Sequence, residues 1–308
     1  MPALDRTTLR RHATGLIGID AERSAGGYTL FAPQTADGNV YLINLRGEQV
    51  HHWKLPQRPG RDAVILANGN LGYNGNHPDS AELFGGWSVW HGGAFSEVTP
   101  DGEVAWEYTD LAHHHDAQWL ANGNLLYTTA EPLPAAFAQR IQGGIPGSEA
   151  AGGVIYGDVV KEVDRSGTLV WQWRSWEHLV PEDYPLHACF ERYHWPMTNA
   201  VTPGRDGKVI LSLRSVSAVI AVDKASDRVL WRLGHDVVAQ QHCPSELEDG
   251  RILIFDNGIS RPHVSMPHSR VIEVDPHTQR IEWQYADSPG YAFFTPFMGG
   301  AQRLHNGN

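Results

Sequence analysis

The chain has 308 residues, of which 41% are hydrophobic, and a formal net charge of −11. This length and hydrophobic content allow one large core. The negative charge argues against nonspecific binding to nucleic acid or to an anionic membrane surface, because both need basic surface. The only two cysteines, Cys189 and Cys243, argue against a disulfide framework and favour a reducing compartment.

The N-terminal stretch MPALDRTTLRRHATG contains basic residues but no apolar run after them, so the sequence predicts no secretory signal and a cytoplasmic location. No apolar run approaches the roughly 20 residues that cross a bilayer, so we expect no membrane span. We expect residues 1–25 to form an N-terminal extension of a single domain that spans residues 1–308.

One phrase then repeats five times along the chain: a short apolar run, a polar turn, and a second run containing tryptophan. The copies are VYLINLRGEQVHHW (40–53), FSEVTPDGEVAWEY (95–108), VKEVDRSGTLVWQW (160–173), VIAVDKASDRVLWRL (219–233) and VIEVDPHTQRIEWQY (271–285). A period of roughly 50 to 60 residues lies near that of propeller blades. We expect the tryptophans of this phrase to pack between blades.

Within each copy, β-branched and aromatic residues alternate with polar ones and are followed by Gly turns, a pattern typical of β-hairpins. We count four strands per copy, for example at residues 125–129, 159–163, 168–173 and 198–202. The sequence therefore predicts an all-β propeller of four-stranded blades, on a six-bladed plan with five blades visible. Because the sequence stops inside an NGN turn, we expect the C-terminal blade to be truncated.

Two stretches, residues 131–156 and 175–195, interrupt the repeat. Long insertions between blade strands are often functional loops, and surface decoration is an equally good interpretation of the first. The second stretch contains three histidines, so it is the more interesting candidate.

The strand before each Gly turn carries polar or ionisable side chains at equivalent positions of the repeat. These are Arg61 and Asp62 in the first copy, His114, His115 and Asp116 in the second, Asn199 in the third, and His242 in the fourth. In a propeller, one strand of each blade lines the central channel. We therefore expect these side chains to converge on one site.

Several segments resemble the arylsulfotransferase family of β-propellers. They are HHDAQWLANGNLLY (114–127), TNAVTPGRDGKVILSLRSVSAVIAVD (198–223) with WRLG (231–234), and QHCPSELEDGRILIFDNG (241–258). The resemblance covers most of the chain from about Gly26 onward and implies a six-bladed propeller. It also implies transfer of sulfate between phenolic compounds through a sulfated histidine, without a nucleotide donor. The expected partner is therefore a small aromatic, anionic molecule.

The resemblance also implies roles for individual residues. The nucleophile would be His242, supported by His115, Asn199 and Arg214. Where the family has a histidine two residues before this asparagine, the chain has Met197, so one expected hydrogen-bond donor to the sulfuryl oxygens is missing.

We expect the substrate to be bound by residues around this catalytic set, namely Arg61, His114, His194, Met197 and Asp116. His194 is a candidate replacement for the missing histidine, although a three-residue shift on a strand places a side chain on the other face. Asp116 is a candidate to orient a histidine ring.

The chemistry needs no cofactor, because an imidazole can attack sulfur and leave again while Arg214 and histidine N–H groups neutralise the nonbridging oxygens. One alternative is a metal-dependent lyase or hydrolase, with a divalent ion held by channel histidines and Asp116 or Asp62. Against it, the sequence has no HExxH motif, and three adjacent histidines cannot all face inward on one strand. A second alternative is a noncatalytic propeller that serves as a binding module. The sequence also leaves transfer and hydrolysis open.

Overall fold

The computed structural model describes residue 16, residues 18–35 and residues 37–308, and of Asp62 it describes the backbone alone. Most of the predicted N-terminal extension lies outside the described residues. The chain is all-β, as predicted, and forms five antiparallel sheets in a β-propeller arrangement. Nowhere in the described part of the chain is a helix long and apolar enough to cross a membrane.

The first two sheets follow the chain order. The first contains β1 (Tyr28–Phe31), β2 (Asn39–Asn44) and β3 (Gln49–Lys54). The second contains β4 (Pro59–Ile65), β5 (Leu71–Asn76), β6 (Gly93–Val98) and β7 (Val104–Thr109). The first sheet thus has three described strands, where the sequence predicted four.

The third sheet is the most elaborate, because both insertions leave from it. The next strands along the chain are β8 (His113–Trp119), β9 (Leu125–Pro132), β10 (Gly143–Ile145), β11 (Tyr156–Val163), β12 (Leu169–Arg174), β13 (Leu186–Glu191) and β14 (His194–Trp195). The sheet has the order β12–β11–β9–β8, and β14 pairs with β11. The strands β10 and β13 form a separate parallel pair, so the two insertions pair with each other.

The last two sheets each have four strands in chain order. The fourth contains β15 (Thr198–Pro203), β16 (Lys208–Leu213), β17 (Ala218–Asp223) and β18 (Val229–Leu233). The fifth contains β19 (His242–Glu246), β20 (Ile252–Asp256), β21 (Arg270–Val274) and β22 (Ile281–Tyr285). Helical segments are short: α1 (Trp87–Trp90), α2 (Ala135–Ala138), α3 (Ser175–His178) and the 3₁₀ turns Ala151–Gly153, Pro181–Asp183, Arg205–Gly207 and Gly290–Ala292.

The strand before each Gly turn opens a sheet, and the tryptophan-containing strand closes it. Residues 198–202 were predicted to belong to one copy with residues 125–129, and this grouping is wrong. Residues 198–202 belong to β15, which stands first in the fourth sheet, whereas β8 completes the third. The reason is that a tight turn makes antiparallel neighbours of the two strands it joins.

The repeated glutamate of the phrase binds the asparagines of the preceding NGN turn. Glu97 Oε1 accepts hydrogen bonds from Asn68 Nδ2 (2.8 Å) and Asn70 Nδ2 (2.7 Å). In the third sheet Glu162 Oε1 accepts one from Asn124 Nδ2 at 2.6 Å. These bonds help to explain why the phrase repeats, because they tie each NGN turn to the third strand of the same sheet.

The expected packing of the tryptophans between blades holds for part of the set. Trp53 is buried and its indole N–H donates to the Thr99 carbonyl of the second sheet. The Trp106 indole likewise donates to the Arg165 carbonyl of the third sheet. Trp283, on the last strand, is instead 39% exposed.

The chain divides into two compact units. One is Gly27–Val201 and holds the first three sheets, with cores such as the cluster of Phe95, Leu125, Tyr127 and Val163. The other combines Met1–Gly26 with Thr202–Asn308, and its core includes side chains two residues apart on β20 and β21, such as Ile252 and Ile254. The single domain stays a prediction.

Candidate active site

A bulge in β8 buries three consecutive histidines. His113, His114 and His115 are all buried, although strand alternation would place neighbours on opposite faces. Pairing with β9 is interrupted between His113 and Ala117, and His115 has a φ of 58° in the left-handed region. Because a bulge breaks the alternation, the argument that adjacent histidines cannot share the interior does not apply here.

His113 is held as a neutral ring by two partners. Its Nδ1 lies 2.7 Å from the Thr128 carbonyl, which can only accept, so Nδ1 carries the proton. Its Nε2, 2.9 Å from Asn74 Nδ2, then accepts from that amide. Burial, with the charge of His114 as a smaller cause, lowers the pKa of His113 well below 6.5.

His114 and His194 contact the same oxygen of a buried carboxylate, Asp158. His114 Nε2 lies 3.1 Å and His194 Nε2 2.5 Å from Asp158 Oδ1, and all three side chains are fully buried. The second oxygen, Oδ2, accepts hydrogen bonds from Thr198 N (2.7 Å) and Thr198 Oγ1 (2.9 Å). Three hydrogen-bond donors and the His114 nitrogen, from three elements, therefore surround one carboxylate.

These contacts set the charges of the cluster. Burial by itself would raise the pKa of Asp158, but the charge of His194 and the hydrogen bonds from both imidazoles lower it below its ordinary value. Burial is the largest effect on His114 and lowers its pKa below 6.5, against the opposing bond to Asp158. At neutral pH, Asp158 is thus a carboxylate and His114 is neutral.

His115 continues this cluster toward an aromatic and a cationic side chain. His115 Nδ1 lies 2.8 Å from His114 Nδ1, and the His115 ring stacks on Trp90 at 5.3 Å between centroids. On Trp90 lies the guanidinium of Arg61, 5.1 Å from the ring centroid. The structure therefore brings together four predicted residues: Arg61, His114, His115 and His194.

His194 reaches the cluster by a route that the sequence pattern did not show. The expected change of strand face between Met197 and His194 holds only if both residues lie on one strand. Instead His194 lies on β14, which pairs with β11, while Met197 at a φ of 59° separates it from β15. Met197 and Asn199 are both buried in the same unit.

Asp116 accepts hydrogen bonds from two backbone N–H groups, and its predicted role of orienting a histidine stays a prediction. Its Oδ1 accepts from its neighbour Ala117 N at 3.0 Å, and its Oδ2 accepts from Val201 N at 2.8 Å. The backbone N–H of Val201, on β15, is thereby tied to β8. A carboxylate that contacts histidine rings in this unit is Asp158, which was not among the predicted site residues.

In the other unit, His242 is fixed by Asn257. The Asn257 amide donates from Nδ2 to the carbonyls of Thr295 (3.0 Å) and Met298 (2.8 Å), so its Oδ1 must face His242. His242 Nδ1 lies 2.6 Å from that oxygen and therefore carries a proton. His242 Nε2 accepts from Met298 N at 3.2 Å, which makes Nε2 the nitrogen with the lone pair.

Arg214 contacts the same C-terminal segment as His242. Its Nη2 donates to the Pro296 carbonyl at 3.3 Å, two residues from the Met298 N–H that meets His242. The predicted nucleophile and the predicted cation thus both contact residues 295–298. That these two residues also converge with Arg61, His115 and Asn199 stays a prediction.

Among the residues that the structure describes, His114, Asp158 and His194 are the group best placed to hold a metal, with ligand atoms within 4.8 Å of one another. Ligand atoms at about 2.0–2.2 Å from a tetrahedral ion would be roughly 3.3 Å apart. The 2.5 Å separation of His194 Nε2 and Asp158 Oδ1 is instead that of a charge-assisted hydrogen bond. We therefore describe this group as a hydrogen-bonded cluster.

The repeated antiparallel sheets define an all-β protein of the propeller class. Its buried histidines are groups that can act as acids, bases or nucleophiles. The family model described as Arylsulfotransferase (ASST) matches residues 97–238. This match confirms the resemblance over residues 97–238. It includes His115, Asn199 and Arg214 and ends before His242. None of the curated proteins matches this sequence.

Solved propeller structures are similar at low sequence identity. A protein of unknown function from Bacteroides caccae has a TM-score of 0.50 at 12% identity, over 84% of this chain and 72% of that chain. A streptogramin B lyase gives 0.47 at 10% identity, over 84% of this chain and 65% of that chain. Virginiamycin B lyase from Staphylococcus aureus has a TM-score of 0.44 at 11% identity, over 84% of this chain and 66% of that chain. The chain thus spans about two thirds of the length of the two lyases. At 12% identity, the similarity to the Bacteroides caccae protein shows a shared fold and nothing about function.

Two residues of these clusters were missed from the sequence. Asp158 could have been noticed as a carboxylate in the otherwise apolar start of YGDVV, and Asn257 lies in the FDNG phrase that carried the resemblance. Neither signal identifies a histidine partner, because each pairs with a histidine at least 15 residues away.

Proposed function

We propose that this protein transfers a sulfuryl group between small phenolic compounds through a covalent intermediate on His242, without a nucleotide donor or another cofactor. The observation that carries the proposal is the hydrogen-bond pattern of His242. Asn257 holds the proton on Nδ1 and leaves the lone pair on Nε2. The match to the arylsulfotransferase family supports the choice of sulfur chemistry.

In the first half-reaction the Nε2 lone pair attacks sulfur, the bond between sulfur and the aryl oxygen breaks, and a phenolate leaves. The imidazole gains positive charge, which the Nδ1–H bond to Asn257 Oδ1 stabilises. In the second half-reaction a phenolic oxygen attacks the same sulfur, and the electron pair of the sulfur–nitrogen bond returns to Nε2. Attack requires the Met298 N–H to leave Nε2.

Arg214 is proposed to neutralise the nonbridging sulfuryl oxygens. A guanidinium presents fixed N–H donors to an anionic tetrahedral group and keeps its charge throughout the reaction. Its contact with Pro296, in the segment that also meets His242, supports this role. Loss of one such donor typically costs about 10²–10³ in kcat.

The test is incubation with 4-nitrophenyl sulfate, with and without phenol as acceptor, followed by intact mass measurement. We expect release of nitrophenol and an adduct with the mass of one sulfuryl group (SO₃) on the wild-type protein but not on His242→Ala. A matched control is His277→Ala, at an exposed turn histidine of the same unit, which should keep both signals. Absence of release and adduct from the wild type would refute the proposal.

Two further measurements separate this proposal from its alternatives. Metal analysis of untagged protein would favour the metal-dependent lyase or hydrolase if it found a stoichiometric ion that His115→Ala and His242→Ala both release. If those two variants changed stability and no other measurable property, the binding module would be favoured. Phenol-independent release of sulfate would identify hydrolysis rather than transfer.

A further inference from the structure

A continuous chain of side-chain contacts joins a buried carboxylate to a histidine beside an aromatic surface. It runs from Asp158 through His114 to His115, whose ring stacks on Trp90. We propose that Asp158, acting through His114, sets the tautomer of His115 so that Nε2 is its basic nitrogen, and that this nitrogen accepts the proton of a substrate hydroxyl. The inference rests on the proposed function only in taking that hydroxyl to be phenolic.

The first step of the argument is the position of the proton on His114. A nitrogen lone pair 3.1 Å from an ionised carboxylate oxygen would be repelled, so His114 Nε2 carries the proton. Burial keeps the His114 ring neutral, so it has no second proton. Its Nδ1 therefore has a lone pair and can only accept.

The second step follows from the contact between the two histidines. The nitrogens His114 Nδ1 and His115 Nδ1 are 2.8 Å apart, which requires one proton between them. Because His114 Nδ1 accepts, His115 Nδ1 is the donor. In neutral His115 the lone pair is then on Nε2.

The third step is what this tautomer does. The proton of the hydroxyl passes to His115 Nε2, and the O–H electron pair stays on oxygen as a phenolate, the better nucleophile toward sulfur. The imidazolium so formed keeps its Nδ1–H bond to His114, which in turn contacts Asp158. Asp158 and His114 are thus positioning residues, and His115 is the catalytic residue.

The neighbours of His115 fit an aromatic anion. The Trp90 ring stacks on His115, and Arg61 brings a positive charge to the same stack. Flat aromatic rings and guanidinium groups both favour aromatic, anionic ligands. The general base therefore lies beside groups that match the proposed substrate class.

The decisive variant is Asp158→Asn, because an amide N–H facing His114 would reverse which nitrogens of His114 and His115 donate and which accept. Two Thr198 donors face one carboxylate oxygen, so the amide oxygen of the variant should take that place and its NH₂ should face His114. His114 Nε2 would then accept and its Nδ1 would donate, which moves the His115 proton to Nε2. A matched control is Glu162→Gln, a buried carboxylate on the same strand that binds Asn124 instead.

The measurement is ¹⁵N NMR of histidine-labelled protein, which distinguishes the two neutral tautomers. We expect His115 to carry its proton on Nδ1 in the wild type and in Glu162→Gln, and on Nε2 in Asp158→Asn. A proton on His115 Nε2 in the wild type, or an unchanged tautomer in a folded Asp158→Asn, would overturn the inference. If that variant does not fold, the wild-type spectrum still decides between the two tautomers.

The proposed role of His115 as general base is tested by measuring the rate of sulfuryl transfer by His115→Gln with two different phenolic acceptors. A general base contributes about 10²–10⁴ in rate, so we expect a loss of that size with phenol, which is protonated at pH 7.5. The loss should be much smaller with pentafluorophenol, which is largely ionised. Equal losses with both acceptors would refute the role as base. If the wild type transfers no sulfuryl group, the proposed function fails while the tautomer result stands.

Discussion

Because His113 is buried as a neutral ring, we expect the protein to lose stability when the pH falls below about 7. Both of its ring nitrogens are engaged while the ring is neutral, and a second proton on Nε2 would face the Asn74 amide. Its pKa in the folded protein is well below 6.5, mainly because of burial. In the unfolded chain its pKa returns to about 6.5.

The sign and size follow from proton linkage. Since the unfolded state binds the proton more readily, the stability contributed by neutral His113 is present above the unfolded pKa and is lost as the pH falls below it. For one fully buried histidine the loss between pH 7.5 and 5.5 is about 1.4 kcal/mol. His114, whose pKa is also lowered by burial, adds to the loss in the same direction.

The assay is urea unfolding at pH 7.5, 6.5 and 5.5, on the wild type and on His113→Gln. A glutamine can donate to the Thr128 carbonyl and accept from the Asn74 amide without titrating. Between pH 7.5 and 5.5, the variant should therefore lose about 1.4 kcal/mol less of its free energy of unfolding than the wild type does. The control, His277→Gln at an exposed turn, should keep the wild-type dependence. An unchanged pH dependence in His113→Gln would show that His113 is not the linked group.

Two other variants test the structure independently. In Asn257→Asp, a carboxylate beside His242 Nδ1 should raise the pKa of that ring by about 1–3 units. The pH at which sulfuryl transfer is half-maximal should then rise by the same amount. An unchanged pH profile would contradict the contact between His242 and residue 257. In Gly92→Ala, the new Cβ would overlap the Asn74 side chain and lie 2.7 Å from His113 Cδ2, so the free energy of unfolding should fall by about 1–3 kcal/mol. Gly85→Ala, whose nearest neighbour would be 3.6 Å away, should be nearly neutral, and equal melting temperatures for both variants would refute this packing argument.

The repeat determined the class of fold from sequence alone. Alternation and Gly turns are local properties that can be read from short segments, and the hydrogen bonds of Glu97 to Asn68 and Asn70 then join such segments within one sheet. The assignment of strands to sheets was harder to predict, because the sequence of a single strand such as β15 does not indicate which sheet it belongs to. That choice depends on which turn is tight enough to pair two strands.

The sequence also selected histidines that lie in buried polar clusters, since ionisable residues at repeat-equivalent positions are rarely accidental in register. His114 and His115 were found in this way, and His242 through its position and family phrase. What the sequence did not supply was the set of partners. Asp158 and Asn257 are far along the chain from the histidines they hold, and only folding brings their atoms within hydrogen-bond distance.

The tertiary structure alone decided the direction and protonation of these side chains. The bulge at His115 changes which side of β8 its side chain takes, and strand β14 carries His194 to a carboxylate on β11. A histidine can act as acid, base or nucleophile, and its sequence position does not distinguish these roles. The distinction comes from which acceptor faces which ring nitrogen, and that is a property of the packed chain.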